Sequence, residues 1–301
     1  MLWLIIVILA YFFLAISTLG DEYLLNGPPN PKNYSFYVGI LGILVLLLIP
    51  FVGFSIPSLF QIILSLLAGS FLIVASFCYY NALEHFEVSR VAPAIGGFLP
   101  LFTFGFVFFI SGEKTALTFE EIAAFILLIL GSIFITFEKQ KSISLKSLKI
   151  TALAAFLFAI TFILTKYVYI NQPFWTGFMW MRIGGFLTAL FFLFSRTVRD
   201  EIFRRKSTFQ KKTGAVFLGN QVVGASAFLL QNWAIALVPL SFLPFINALE
   251  GTKYIFVLIF SILLSIKFPQ ILKEEISKRI LFQKIFAILF IIGGLVLLTL
   301  K

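Results

Sequence analysis

Leu2-Trp3-Leu4-Ile5-Ile6-Val7-Ile8-Leu9-Ala10-Tyr11-Phe12-Phe13-Leu14-Ala15-Ile16-Ser17-Thr18-Leu19-Gly20 opens the chain without a single charge. A helix rising 1.5 Å per residue needs about 20 residues to cross a hydrocarbon core of roughly 30 Å, so the stretch reads as a membrane span. It lacks a basic start and a convincing small-residue cleavage site, which favours a helix that stays in the protein over a secretory signal. Nine further stretches of the same kind follow, approximately over 34–53, 59–83, 91–111, 122–137, 150–170, 174–195, 213–237, 240–265 and 280–300. The breaks between them are chemically sensible: Asn26-Gly27-Pro28-Pro29-Asn30-Pro31 ends the first, and charged or Pro-containing loops end most others. The junctions at 55–57 and at Val238-Pro239 are very tight.

Composition supports the same reading. Of 301 residues 60% are hydrophobic and 12% charged, with a mean hydropathy of +1.06, whereas soluble domains run near half apolar and a quarter charged. The 40 Phe suit a surface facing lipid. The expected fold class is all-α: an integral membrane protein of ten transmembrane helices. A net charge of +10 does not point to nucleic acid, because the basic residues lie in short loops between apolar runs. Cys78 is the only cysteine, which excludes an internal disulfide and a multi-cysteine metal site. His85, the only histidine, stands among Glu84, Phe86 and Glu87 in an expected loop, so no zinc cluster and no His relay can form. No Walker-type phosphate loop occurs. No cofactor, no metal and no catalytic residue is expected, and the chain is not expected to be an enzyme.

The ten spans divide into two sets of five that can be laid over each other. Ala15-Ile16-Ser17 with Tyr23 matches Ala159-Ile160-Thr161 with Tyr167, and Ala82 and Ser89 match Ala234 and Ser241. Ala124, Gly131 and Thr136 match Ala287, Gly294 and Thr299 in the same order. Residues 1–139 then form one repeat and 140–301 the other. Five helices per repeat is an odd number, so two repeats of one fold lie upside down relative to each other, and a site is expected at the midplane where they meet.

Tyr79-Tyr80-Asn81-Ala82-Leu83, Ser89-Arg90-Val91-Ala92, Pro100-Leu101-Phe102-Thr103 and Gly112-Glu113, followed by Gly131, carry a resemblance to a known family. In order and spacing they are similar to the repeat of the drug/metabolite transporter superfamily, EamA type, and the second half echoes them from Trp233-Ala234-Ile235-Ala236-Leu237 to Gly294. The resemblance implies inverted five-helix repeats, alternating access and a central cavity lined mainly by spans 1, 3, 4, 6, 8 and 9. It implies no particular substrate. The second half departs from the pattern where Thr252 and Ser265 stand opposite Pro100 and Glu113.

Polar residues inside apolar spans are the candidate site, since a charge near the bilayer centre costs roughly 2.5–3.5 kcal/mol on insertion scales. Glu250 and Lys253, at i and i+3 in the ninth span, can reach each other on one face, either as a structural pair or as a proton or substrate site. Glu250 reads as the coupling or substrate-sensing acid with Lys253 as its alternating partner, and Asn247 joins it by the same spacing. Arg182, in the seventh span, is a scaffold anchor or a counter-charge for an anionic solute. Asn220, Gly224, Ala227 and Gln231 fall on one stripe of the eighth span, either as a packing seam or as a cavity wall offering amides. Tyr79, Asn81 and Trp233 read as interfacial residues, Gly96-Gly97 and Gly184-Gly185 as close-packing points, and Asp21-Glu22, Glu120-Glu121 and Glu274-Glu275 as solvated acids at span ends.

Basic residues gather after odd-numbered spans, notably over 139–149, 196–212 and 267–284, while even loops hold only Lys114 and Lys166. The positive-inside rule puts the odd loops in the cytoplasm and both termini outside, whereas the family keeps both termini inside. The expected function is secondary active transport of a small polar solute or metabolite across the cell membrane. The alternatives are a membrane-embedded lipid-modifying enzyme and a non-transporting scaffold. Expected partners are the lipid bilayer and a small-molecule substrate; a proton or other ion gradient and a homodimer are both compatible with the sequence, and nucleic acid is not expected.

Overall fold

Each of the ten apolar stretches is helical in the computed structural model, which describes residues 2–25, 30–85, 88–111, 118–136, 145–203, 211–267 and 278–299. The helices are α1 (Leu2–Leu25), α2 (Pro31–Gly42), α3 (Ile49–Val52), α4 (Leu59–His85), α5 (Val88–Ser111), α6 (Phe119–Thr136) and α7 (Leu145–Asn171). There follow α8 (Phe174–Phe191), α9 (Arg196–Phe203), α10 (Lys211–Leu237), α11 (Leu243–Ala248), α12 (Gly251–Lys267) and α13 (Lys278–Thr299). There is no strand among the described residues. Among the described residues seven helical segments are long and apolar enough to cross a membrane, and two shorter apolar helices, Ile95–Ile110 and Phe282–Leu297, accompany them. Phe51, Phe109, Phe119 and Phe194 are each more than four-fifths exposed, an outward apolar surface that suits lipid and not water.

Local chemistry sets several helix starts. Asn30 caps α2, its side chain accepting from the Asn33 N–H at 3.0 Å, with Pro31 in the first turn where no N–H is needed. Thr118 and Glu121 form a reciprocal capping box on α6, at 2.8 and 3.4 Å. Glu121 is therefore buried, against the expectation of a solvated acid; Glu120 is exposed, and Glu274 and Glu275 lie outside the described residues. His85 is the last residue of α4 and not part of a loop, while Glu87 lies outside the described residues.

The second span is interrupted. After α2 the backbone tightens into a 3-10 segment, Ile43–Leu48, before α3, where Pro50 has no N–H to continue an α-helical ladder. The ninth span is irregular at its middle: α11 ends at Ala248, Leu249 and Glu250 form a turn bridged by backbone bonds three residues apart, and α12 starts at Gly251.

Packing is antiparallel and close. Along α1 and α10, Gly20 faces Asn220, Ser17 faces Gly224 and Tyr11 faces Gln231, so the chains run in opposite directions. Along α4 and α7, Gln61 reaches the Asn171 carbonyl and Tyr79 the ring of Phe158. Gly39 and Gly42 of α2 face Ala189 and Arg182 of α8; Gly131 of α6 and Gly294 of α13 face Ile291 and Ala124 of each other's helix. A Cβ at Gly69 would lie 1.8 Å from the Met181 carbonyl oxygen, and one at Gly184 2.3 Å from that of Leu66, so α4 and α8 touch backbone to backbone. Gly96 and Gly97 likewise abut Ser132 and Ile133 of α6. Further contacts join α1 to α12, α5 to α7, and α11 to α5.

Lys166 corrects a second expectation. It belongs to α7 and not to a loop, is buried, and its Nζ donates to the carbonyls of Ile235 (3.0 Å) and Ala236 (3.1 Å). A lysine thus caps the last turn of α10, whose carbonyls have no partner within the helix.

Candidate functional site

The helices enclose a cavity of about 770 Å³, within the size range of small-molecule sites. Its wall is mostly Leu, Ile, Val and Phe, interrupted by four charged side chains: Asp21, Arg182, Glu250 and Lys253. It draws on α1, the second span, α4, α5, α7, α8, α10 and the broken ninth span, while α6 and α13 contribute nothing to it. Compared with the lining implied by the family resemblance, the second and seventh spans are added.

The break in the ninth span positions the acidic group. Interrupting a helix away from water frees carbonyls that must find other donors. Here the Tyr11 hydroxyl donates to the Ile246 carbonyl (2.7 Å), while the carbonyls of Asn247, Leu249 and Glu250 accept backbone N–H groups three residues on, Leu249 taking the Thr252 hydroxyl as well (2.7 Å). Gly251 lets the turn sit against α6 and α13, since a Cβ there would lie 3.0 Å from the Ser132 hydroxyl and 3.1 Å from Ile291. Glu250, in the turn, forms an ion pair with Lys253 in the first turn of α12; both are buried against protein and line the cavity. The Lys253 ammonium also lies 4.5 Å from the Tyr254 ring centroid, a cation–π distance.

Arg182 lies across the same cavity. Its guanidinium is 3.9 Å from the ring centroid of Phe228 and 5.2 Å from that of Phe178, held by the faces of two aromatic rings. No carboxylate and no carbonyl hydrogen-bonds to it among the described residues. Gln231 lines the cavity at 3.5 Å from the Tyr11 hydroxyl.

Two of the six expected residues stand elsewhere. Asn247 is fully buried and donates to the Thr103 hydroxyl of α5 at 2.8 Å; it does not line the cavity. Asn220 is a clip between α10 and α1, donating to Asp21 at 2.7 Å, and is also off the lining. The stripe on α10 therefore serves both purposes: Gly224 meets Ser17 closely, and Gly224 and Gln231 also face the cavity.

Asp21 is the residue that sequence reasoning missed. It was expected to be solvated, but α1 continues to Leu25 and Asp21 lines the cavity, accepting from the Tyr34 hydroxyl and from Asn220. Leu14, Ser17, Thr18 and Asp21 all line the cavity at helical spacing, and that polar stripe was the available signal. Tyr79, expected at a membrane interface, is on the cavity wall. Trp233 is partly exposed among the rings of Phe174 and Trp175 near the end of α10, as an interfacial residue would be.

No protein-family model and no curated protein matches the chain. Twenty-eight chains of solved structures match its fold. One, described only as "Crystal structure of protein", superposes with a TM-score of 0.66 at 15% identity, covering 99% of this chain and 96% of that one. The likeness is one of fold along the full length.

Proposed function

We propose that this chain is a secondary transporter of the cell membrane that moves a small solute by alternating access, built as two inverted five-helix repeats (1–139 and 140–301) in the manner of the drug/metabolite transporters. The observation that carries the reading is a cavity of about 770 Å³ with four charged side chains on its wall, inside a bundle otherwise dressed for lipid. Intramembrane charges facing a cavity mark solute or ion pathways.

The packing supports the inversion. The second and seventh spans (α2 and α8) touch antiparallel, and so do the fifth and tenth (α6 and α13). Equivalent helices of two repeats run antiparallel only if the repeats are inverted. Exchanging the repeats also turns the α1–α10 pair into the α7–α4 pair, and α1–α12 into α7–α5; all four contacts exist. The break beside Glu250 fits discontinuous helices at the repeat interface.

Alternating access is testable without knowing the solute. With Cys78 replaced by Ser, single cysteines at Ser76 and Ser226, both on the cavity wall, are offered a membrane-impermeant maleimide from either face of sealed vesicles. Labelling from both faces is expected. Labelling confined to one face at both positions would refute transport and leave a receptor or scaffold.

A further inference from the structure

Among the four cavity charges, three have their hydrogen-bonding partners inside the protein. Glu250 and Lys253 satisfy each other, and Asp21 accepts from Tyr34 and Asn220. Arg182 alone presents a guanidinium whose N–H donors meet no acceptor among the described residues; its packed partners are the rings of Phe228 and Phe178, at 3.9 and 5.2 Å. Asp21 does not serve as its counter-ion. Its partner Tyr34 lies eight residues before Gly42, the residue that faces Arg182, so the two sites are separated by about 12 Å along the helix.

An unsatisfied guanidinium facing a low-dielectric cavity offers a bidentate pair of donors to a planar anion. Charge decides which one. The four formal charges on the wall sum to zero, so a dianion would bring a second negative charge that nothing on the wall opposes. The remaining lining is mostly aliphatic and aromatic, with Ser, Thr, Gln and Asn side chains between, and the guanidinium itself packs on Phe178 and Phe228. We infer that Arg182 anchors the carboxylate of the solute, and that the ligand of this cavity is a small organic monocarboxylate with an apolar body. This rests on reading the cavity as a solute site.

The test uses the purified full chain in detergent and follows thermal unfolding with phenylacetate and isovalerate, with their primary amides, and with chloride and inorganic phosphate. The amides keep shape and lose charge. Carboxylates are expected to raise the unfolding temperature and the amides and inorganic anions are not. Arg182→Gln is expected to weaken the carboxylates by roughly 10- to 100-fold, the range for losing a charge-assisted hydrogen-bond pair, with Arg182→Lys in between. Equal shifts from amides or phosphate, no shift from either carboxylate up to about 10 mM, or full affinity in Arg182→Gln would each overturn the assignment. If Arg182→Gln does not fold, the carboxylate–amide comparison in the unaltered protein decides. The two readings fail separately: carboxylate binding with one-sided maleimide labelling sinks transport alone, and two-sided labelling with no carboxylate preference sinks the ligand alone.

Discussion

Replacing Glu250 by Gln preserves the shape of the turn between α11 and α12 and removes one half of its ion pair. Lys253, at 4% exposure, would then keep a neutral amide oxygen and the face of Tyr254 but no counter-charge. Breaking a buried pair from one side costs about 3–5 kcal/mol, because the survivor stays desolvated and unpaired. For a chain of this size that corresponds to a fall in unfolding temperature on the order of 5–10 °C. Lys253→Met should cost a similar amount for the same reason. The double variant removes both charges and should return to within about 1–2 kcal/mol of the parent, since a buried pair replaced by neutral groups of like volume is often close to neutral. Thermal unfolding in detergent reads the stability arm, and solute exchange in proteoliposomes reads the functional one. If the pair couples transport, the double variant is stable but inactive. Single variants that melt with the parent would refute the electrostatic reasoning, and a double variant that regains exchange would reduce the pair to a structural role.

Three further outcomes follow from the packing. Gly69→Leu or Gly184→Leu should destabilise by about 3 kcal/mol or more, because the new side chain meets backbone of the facing helix, which cannot rotate away. Gly105→Ala, where a Cβ would meet nothing within 4 Å, should be neutral or gain up to about 1 kcal/mol in the same melts. Lys166→Met should cost about 1–3 kcal/mol by leaving the Ile235 and Ala236 carbonyls without their donor. Hydrogen exchange should then quicken in the last turn of α10 and little elsewhere.

The helices were legible because a 20-residue apolar run has few other uses. The Glu250–Lys253 pair was legible too, since residues at i and i+3 stay close whether or not the helix continues unbroken. Asn247 was not, because the i, i+3 rule assumes an unbroken helix and the chain turns at Leu249-Glu250. That turn depends on Tyr11 and on the close approach at Gly251, contacts no local window contains. Lys166 was misread for a related cause: a lysine near the end of an apolar run looks like a loop residue until its acceptors, 69 and 70 positions away, are known. Asp21 was lost by ending the first span at Gly20 on hydropathy, although Ser17, Thr18 and Asp21 share one face of α1.

The cavity and the irregular backbone are one feature. A bundle of straight apolar helices packed through glycines, as α4 and α8 are, leaves no space between them. Two of the four charges enter where a helix stops being regular, while Asp21 and Arg182 stand on the regular helices α1 and α8. The 3-10 segment of the second span contributes Leu44, Val45 and Leu48 to the wall, and Gly42 at its start faces Arg182. The turn in the ninth span contributes Glu250 and Lys253. Each irregularity exposes polar backbone that lipid could not satisfy, so each must be surrounded by protein or must border a cavity. Tyr11 and Thr252 donate to carbonyls next to the turn, and the ion pair satisfies itself, which leaves Arg182 as the one of the four cavity charges with no hydrogen-bonding partner among the described residues. A purely structural cavity would gain by filling that vacancy with an acid from α2 or α10. The wall opposite Arg182 instead presents Gly42 and apolar side chains, which is the arrangement a site needs if the missing partner arrives from outside.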